Sequence, residues 1–256
     1  MLPTPDTSHV AYERIYEPAE DSFLLLDTLS SAGETAFLHR RFGSGEGAAT
    51  PPPPPPLVVE IGPGSGVVIA FVNAHARTLF GPGPGTVLTA AVDVSAHACA
   101  ATNETVRRAA AEHAATRGRY LGAVQGDLAA ALADGAVDVL VFNPPYVPTP
   151  EPPPRGDVPR LGAAPSFDDD SYLLELTYAG GRDGMETTDR LLASLPRVLS
   201  GRGCAYVLLC AQNRPEEVKE RIRGLGHAWR VETVGTSGRK AGWEKLQIIR
   251  IWREVD

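Results

Sequence analysis

Short apolar runs alternate along the chain with longer stretches in which apolar residues recur at helical spacing. Runs of about four to eight aliphatic and β-branched residues are typical of buried strands, whereas longer amphipathic stretches predict helices. The predicted strands cover residues 57–61, 86–94, 120–125, 137–142, 203–210, 228–235 and 246–252. Strands that alternate with helices favour a mostly parallel, doubly wound sheet covered on both faces, so we predict an α/β fold.

The helices follow from the same periodicity and from local capping signals. Ser95 is a predicted N-cap for an alanine-rich helix that runs to about Arg117, and Gly226 is placed near the C-cap of a later helix. A helical segment is predicted at about residues 12–29. The remaining predicted helices cover residues 67–76, 185–199 and 214–226. We predict a single domain over residues 1–256.

Two stretches rich in proline and glycine interrupt this pattern. Residues 43–56 end in six consecutive prolines, which favour an extended spacer, so residues 30–56 are predicted to form a flexible insertion. Residues 148–170 follow the fourth strand and form a loop that is long for a compact domain. A loop of that length next to a strand end is typical of an active-site lid.

Composition and charge narrow the classes of function. The formal net charge is −7, whereas a protein that grips nucleic acid through phosphates needs a basic face, so no direct nucleic-acid binding is expected. No stretch approaches the length of a membrane span. Three cysteines without a C-x-x-C pair fit a reducing compartment, and six scattered histidines show no metal-ligand spacing. We expect a cytoplasmic protein, with the nucleus as a second location, and no metal in this chain.

A glycine-rich turn follows the first strand, in the sequence Glu60-Ile61-Gly62-Pro63-Gly64-Ser65-Gly66. Glycines let the backbone approach a ligand closely and adopt positive φ. The third glycine falls one position too early for the dinucleotide fingerprint. Glu60 would repel a pyrophosphate but would accept a cationic or hydroxyl-rich ligand. This pattern is used by S-adenosylmethionine-dependent methyltransferases.

Acidic residues follow the next two strands. Asp93 can accept hydrogen bonds from both ribose hydroxyls, although an acidic residue at a helix N-terminus could also interact with the helix dipole. Asp127 can accept from an adenine amine while Leu128 packs on the ring, although an aspartate in a turn could also cap a short helix. Because ligands bind beyond the carboxyl ends of strands in such sheets, these positions predict one nucleoside site.

The fourth strand ends in Asn143-Pro144-Pro145-Tyr146. Two prolines fix two φ angles and remove two donors, so the turn is stiff. The Asn143 Oδ1 and the Pro144 carbonyl can each accept one N–H of a planar –NH₂ group, which directs the nitrogen lone pair towards a methyl donor. Tyr146 can stack on the planar group. The turn therefore predicts methyl transfer to an amide or an aromatic amine, with geometry fixed in advance.

With these residues assembled, the chain resembles the HemK-like protein-glutamine N5-methyltransferases, particularly their eukaryotic cytosolic branch. The resemblance rests on residues 16–29, 60–68, 127–132, 141–150 and 178–192 and spans most of the chain. It implies a Rossmann-like class I methyltransferase fold with the strand order 3-2-1-4-5-7-6. It also implies methylation of the glutamine in the Gly-Gly-Gln motif of the class I translation termination factor.

The resemblance assigns roles to individual positions. The expected cofactor-binding residues are Tyr16, Pro18, Ser22, Glu60, Gly62, Gly64, Gly66, Asp93, Asp127, Leu128 and Asn143. The expected catalytic residues are Asn143, Pro144 and Tyr146, and the expected substrate contacts are Asn143, Pro145 and Tyr146. The loop at residues 179–184 is expected near the active site, without a derived role.

The resemblance also implies a partner, a small zinc-binding activator subunit. Residues 120–125 carry no charge and no proline, so nothing in the sequence blunts that strand as a sheet edge, and strand addition by the activator would cover it. Three other activities stay open at this point. They are adenine-N6 methylation of nucleic acid, lysine methylation of other proteins, and a cofactor-binding scaffold without catalysis.

Overall fold

The computed structural model describes residues 2–43, 54–81, 87–153, 166–238 and 245–254. The strands are β1 (Leu57–Ile61), β2 (Leu88–Asp93), β3 (Arg119–Gln125), β4 (Val137–Phe142), β5 (Leu199–Cys210), β6 (Trp229–Thr236) and β7 (Leu246–Arg253). The helices are α1 (Glu20–Leu29), α2 (Ala32–Phe42), α3 (Val67–Ala74), α4 (Ala76–Phe80), α5 (Ala96–Glu112), α6 (Phe167–Tyr178), α7 (Glu186–Val198) and α8 (Pro215–Arg223).

All seven strands form one sheet in the order β3-β2-β1-β4-β5-β7-β6. The first five strands pair in parallel, and β7 runs antiparallel between β5 and β6. The predicted α/β class, the Rossmann-like architecture and the strand order are therefore confirmed. The order reverses between β1 and β4, so their carboxyl ends flank the crevice where such sheets bind ligands.

Two hydrophobic cores lie on opposite faces of the sheet. One core packs α1 to α5 against the sheet, and the other packs α7 and α8. Strand β4 is buried along its whole length: Val139 and Val141 belong to the first core, and Leu140 and Phe142 to the second. Side chains alternate between faces along a strand, so the apolar run at residues 139–142 is what a doubly covered strand requires, and the buried Asp138 before it pairs with Arg202 at 2.9 Å.

The prediction of a flexible insertion at residues 30–56 is wrong for its first half, which contains α2. Ser31 caps this helix by accepting from the Glu34 amide at 3.3 Å. The Glu34 carboxylate is buried and accepts from Arg250 and from the Tyr206 hydroxyl, each at 2.7 Å. A buried ion pair with a further hydrogen bond fixes the helix on the sheet. Residues 44–53 lie outside the described part of the chain.

Other predicted boundaries also shift. The N-terminal helix begins at Glu20 rather than at about residue 12, because Pro18 fixes an extended approach to it. Within the predicted lid at residues 148–170, residues 154–165 lie outside the described part, and α6 begins at Phe167 behind the Ser166 cap. The sequence did not predict α6.

Two helices end earlier than the periodicity predicts. The Ser95 cap is confirmed, since its hydroxyl accepts from the Ala98 amide, but α5 ends at Glu112 rather than at about Arg117. Helix α8 ends at a Gly224 cap rather than at Gly226. None of the described helices is long and apolar enough to cross a membrane.

Candidate active site

A cavity of about 360 Å³ lies at the carboxyl ends of β1 to β4. This volume is within the range of small-molecule sites. The structure brings twelve of the fourteen predicted site residues together along its wall. They are Tyr16, Ser22, Glu60, Gly62, Gly64, Asp93, Asp127, Leu128, Asn143, Pro144, Pro145 and Tyr146.

Gly66 and Pro18 do not line the cavity wall, and their role in binding the cofactor stays a prediction. Gly66 has φ +79°, and a Cβ atom there would lie 2.7 Å from the Thr102 Cα on α5. Its glycine is therefore needed for helix packing behind the loop. Pro18 precedes α1 and directs the chain from the cavity wall at Tyr16 into the helix.

Glu60 is buried at the end of β1, and its carboxylate also serves the fold. Its Oε2 atom accepts from the Ile69 amide at 2.8 Å, in the first turn of α3. The Gly66 cap has no side chain, so Glu60 supplies the missing acceptor for this helix end. Burial, with a smaller contribution from the Asp93 charge, raises the pKa of Glu60 to about 8 against the lowering effect of the Ile69 hydrogen bond.

Asp93 at the end of β2 shows a similar double use. Its Oδ1 accepts from the Ser95 amide at 2.8 Å, and its Oδ2 accepts from the Gly64 amide at 3.2 Å. The carboxylate thus ties the glycine loop to the start of α5. Burial raises the pKa of Asp93 to about 6, although these backbone hydrogen bonds oppose the rise. Each carboxylate oxygen keeps further acceptor capacity for a ligand hydroxyl.

Asp127 and Leu128 follow β3, as predicted. The Asp127 carboxylate is held by both terminal nitrogens of Arg190, with the shorter distance at 2.6 Å, and about half of each side chain is exposed. Leu128 has φ +50°, an uncommon conformation for a residue with a branched side chain. Such strain is typical of functional sites. Neither the Arg190 contact nor the strain was predicted from the sequence.

The charge of the cavity wall favours a cationic ligand. Four carboxylates line it, from Asp21, Glu60, Asp93 and Asp127. Among the described lining residues, Arg14 is the one cation, and it pairs with Asp170 of α6 at 3.0 Å. A cation near buried carboxylates favours their charged forms, so a ligand with positive charge would relieve the cost of their burial.

Asn143, at the end of β4, leaves a polar atom unsatisfied. Its Oδ1 atom is buried and has no hydrogen-bond partner within the described protein. Leaving a buried acceptor unpaired costs about 1–3 kcal/mol. Asn143 also lines the cavity, so the residue that carries this oxygen lies beside any donor group that enters there. An N–H of a planar amide would satisfy it.

Tyr146 is held in place by a residue that the sequence analysis did not single out. The Tyr146 hydroxyl lies 3.4 Å from Asp21 Oδ2, and Asp21 is buried in the first turn of α1. Asp21 lies within residues 16–29, on which the family resemblance partly rests, and nothing else in the sequence marked this residue. The pairing itself joins residues 125 positions apart and requires the folded chain.

The loop at residues 179–184, which was expected near the active site without a derived role, packs on the backbone of the Asn-Pro-Pro-Tyr turn. The Val147 amide donates to the Tyr178 carbonyl, and the Gly180 amide donates to the Val147 carbonyl, both at 2.9 Å. A side chain at Gly180 would overlap the Pro145 carbonyl oxygen. The glycines therefore allow a close approach that supports the turn from behind.

These features fit S-adenosylmethionine. Gly62 and Gly64 have φ +61° and +54° and open the wall near the carboxylates. The acidic lining suits a sulfonium and an ammonium group, and Asp93 suits a ribose. Asn143, whose side-chain oxygen is unpaired, lines the cavity that an acceptor amide would have to enter. Within the described ranges, no group of three or more His, Cys, Asp or Glu side chains could hold a metal ion.

Comparison with known proteins places this geometry in context. No protein-family model matches the chain. It is 34% identical to the methyltransferase HEMK2 of Mus musculus, over 97% of this chain and 96% of that protein. It is 30% identical to the eRF1 methyltransferase catalytic subunit mtq2 of Schizosaccharomyces pombe, over 99% of this chain and 96% of that protein.

Among solved structures, the catalytic domain of human Mettl16, in complex with an RNA hairpin, superimposes with a TM-score of 0.54. It covers 96% of this chain and 74% of that chain at 16% sequence identity, which supports the fold alone.

Proposed function

This chain belongs to the HemK-like protein-glutamine methyltransferases, and from that premise we propose that its substrate is the Gly-Gly-Gln glutamine of the class I translation termination factor. The enzyme is an S-adenosylmethionine-dependent protein-glutamine N5-methyltransferase. The fission yeast relative acts on eRF1, and its similarity extends over nearly the whole of both chains. We also propose that the enzyme works in the cytoplasm, where termination factors act.

The cofactor supplies an electrophilic methyl group, and the residues of the chain bind and orient the two reactants. Asp93 would bind the ribose, Glu60 and Asp21 would face the positively charged end, and Asp127 would accept from the adenine amine. Asn143 accepts one N–H of the glutamine amide, and the Pro144 carbonyl accepts the other. This pair of acceptors orients the nitrogen lone pair towards the methyl group. Orientation of this kind lowers the barrier because the geometry is fixed before the reaction.

One observation carries the proposal: the buried, unpaired Oδ1 of Asn143 at the cavity wall. Glu60, Asp93 and Asp127, by contrast, each accept hydrogen bonds from other groups of the fold. Three other buried side-chain oxygens of the described residues lack a partner, those of Thr28, Asn73 and Thr188, but Asn143 is the one of the four residues that lines the cavity. A buried acceptor without a partner calls for an explanation, and at Asn143 the cavity offers one. A planar –NH₂ group that enters the cavity satisfies this acceptor. A glutamine side chain ends in such a group, whereas a lysine amine is not planar.

The test is a labelled-methyl transfer assay with the termination factor. We expect transfer to the factor with its native Gly-Gly-Gln loop, and none when the glutamine of that loop is replaced by alanine or glutamate. Adenine-containing oligonucleotides and a lysine-rich protein are assayed in parallel. Equal labelling of the native and the substituted factor, or faster labelling of either alternative acceptor, would contradict the proposal.

We further propose that the zinc-binding activator pairs with β3. This strand lies at the sheet edge, and it exposes Leu121 and Val124 to 57% and 53%. One feature differs from the sequence expectation of an unblunted edge: the β2–β3 register shifts between Thr89 and Ala91, with Gly122 at φ +120°. An edge strand with exposed apolar side chains favours pairing with another chain.

Charged substitutions test this surface. Leu121→Glu with Val124→Glu is expected to abolish co-purification with the activator and to lower methyl transfer to that of the chain expressed alone. Leu225→Glu is the matched control, because Leu225 is 50% exposed and lies after α8 rather than on β3. If the wild-type chain alone is monodisperse and as active as the co-expressed pair, the proposed partner is wrong.

A further inference from the structure

The Asn-Pro-Pro-Tyr turn cannot hold itself by its own backbone donors. Pro144 and Pro145 have no N–H groups, so between Asn143 and Tyr146 the turn presents mainly carbonyl oxygens. Backbone acceptors in a buried turn need donors from elsewhere in the fold. The source of these donors decides where the turn, and with it Asn143, is fixed.

The Asn213 side chain supplies the shorter of two side-chain contacts to the Tyr146 carbonyl, which the Cys210 thiol also approaches at 3.9 Å. Asn213 lies in a short 3₁₀ turn after β5, and only 2% of it is exposed. Its Nδ2 donates to the Tyr146 carbonyl and to the Asp183 carbonyl, both at 2.9 Å. Its Oδ1 accepts from the Cys210 amide at 2.8 Å. The side chain therefore joins the end of β5, the catalytic turn and the loop at residues 179–184.

The backbone and side chains around Asn213 are tightly packed. A side chain at Gly184 would overlap the Tyr146 carbonyl oxygen and would lie 2.6 Å from Asn213 Nδ2. Tyr146 is three residues from Asn143, and the two prolines between them have fixed φ angles. A displacement of the Tyr146 carbonyl should therefore also displace Asn143.

We propose that Asn213 is a positioning residue for methyl transfer, which sets the place of Asn143 through the Tyr146 carbonyl. Asn213 does not line the cavity and touches no reacting atom. Its action on catalysis rests on the proposed function of Asn143 as the amide acceptor. Its action on the turn does not, and can be measured without any acceptor substrate.

Asn213→Asp is the first variant, because it keeps the shape and the acceptor for Cys210 but turns the donor into an oxygen that faces two carbonyls. Asn213→Ser, which is smaller and keeps a hydroxyl donor, serves if the first variant does not fold. Asn73→Asp is the matched control. Asn73 is also buried, and its Nδ2 donates to Thr89 Oγ1 at 2.8 Å, but it lies on α3 away from the cavity wall.

Turnover is measured per cofactor-binding site, well below the melting temperature of each protein. A misplacement of about 1 Å can cost about 100-fold in rate. We expect Asn213→Asp to lower kcat about 100-fold, with the cofactor Kd within about threefold of wild type. Asn73→Asp should leave kcat per site within about threefold of wild type, even if it lowers the melting temperature as much as Asn213→Asp does.

Hydrogen exchange of the Val147 and Gly180 amides gives the second readout, in the absence of any acceptor. We expect both amides to exchange at least about tenfold faster in Asn213→Asp than in Asn73→Asp, because the turn opens locally. Unchanged exchange, or kcat per site within threefold of wild type, would overturn the inference. If wild type fails to methylate glutamine while exchange responds as expected, the proposed function is wrong and the positioning role stands.

Discussion

The two halves of the cavity differ in how their polar groups are satisfied. In the cofactor half, Glu60 and Asp93 accept hydrogen bonds from backbone amides of the loops that they organise. In the acceptor half, the Asn143 Oδ1 is buried without a partner. The first group of residues therefore has a structural use besides the proposed binding, whereas the Asn143 Oδ1 has no partner within the described protein, and we propose that it accepts from the substrate.

This difference has a thermodynamic consequence. Removing a carboxylate that caps a helix or a loop leaves buried amides unpaired and should weaken the fold. Removing an acceptor that has no partner relieves a cost instead. Substitutions in the cofactor half should change stability and affinity together, whereas substitutions at Asn143 should separate turnover from stability.

The largest expected effect is that of Asn143→Ala. Loss of one oriented polar group at a reacting centre lowers kcat by about 100- to 1,000-fold, and we expect at least that loss of methyl transfer. The cofactor Kd should stay within about threefold, and the free energy of unfolding should not fall by more than about 1 kcal/mol, since no protein hydrogen bond to Oδ1 is lost. Calorimetric titration and denaturant unfolding check the two quantities.

The same substitution can break the comparison. If Asn143→Ala unfolds the protein, or weakens cofactor binding as much as turnover, the acceptor half is as structural as the cofactor half. Retained turnover would overturn the role of Asn143 itself.

A smaller effect is expected from pH. The pKa of Glu60 is raised to about 8 and that of Asp93 to about 6 in the empty cavity, mainly by burial. A cationic ligand favours the charged carboxylates, so binding releases protons and the affinity rises as the pH rises from 6 to 8. We expect an increase of at least about tenfold over this interval, levelling off above pH 8.

The sign follows from the direction of these shifts. A carboxyl group whose folded pKa is raised stabilises the protein below its unfolded pKa and loses that contribution as the pH rises through the folded value. The empty protein should therefore lose stability towards pH 8, and the cofactor should restore it. Glu60→Gln, which keeps the size of the side chain, should flatten the upper part of the affinity profile. An unchanged profile in that variant would exclude Glu60 as the titrating group.

The sequence predicted the cavity residues at the strand ends better than the residues that hold Tyr146 in place. Strand ends such as Glu60, Asp93 and Asn143 follow from apolar runs, because parallel strands bring their carboxyl ends to one edge. The partners Asp21 and Asn213 contact Tyr146 across 125 and 67 positions, and nothing local marks such pairs.

Composition misled where it was applied too widely. The proline run ending at residue 56 suggested flexibility back to residue 30, yet residues 32–42 form a helix fixed by Glu34 and Arg250. That ion pair joins the second helix to the last strand. Local composition does not contain it.

The smallest expected effect is that of Arg190→Ala, because the contrast between the two halves of the cavity is weakest at this residue. Arg190 holds Asp127 in the cofactor half, but the pair is about half exposed. Exposed ion pairs contribute about 0–1 kcal/mol, so Arg190→Ala should lower the free energy of unfolding by less than about 1 kcal/mol. It should weaken cofactor binding by less than about fivefold, because the Asp127 acceptor remains and only its orientation is lost, whereas Asp127→Asn should cost about tenfold. Arg221→Ala is the matched control, since Arg221 pairs with Asp189 at 2.9 Å at similar exposure, and neither residue lines the cavity. If Arg190→Ala weakens cofactor binding more than Asp127→Asn does, the Arg190 guanidinium rather than the Asp127 carboxylate faces the cofactor. The assignment of Asp127 to the adenine amine would then be wrong.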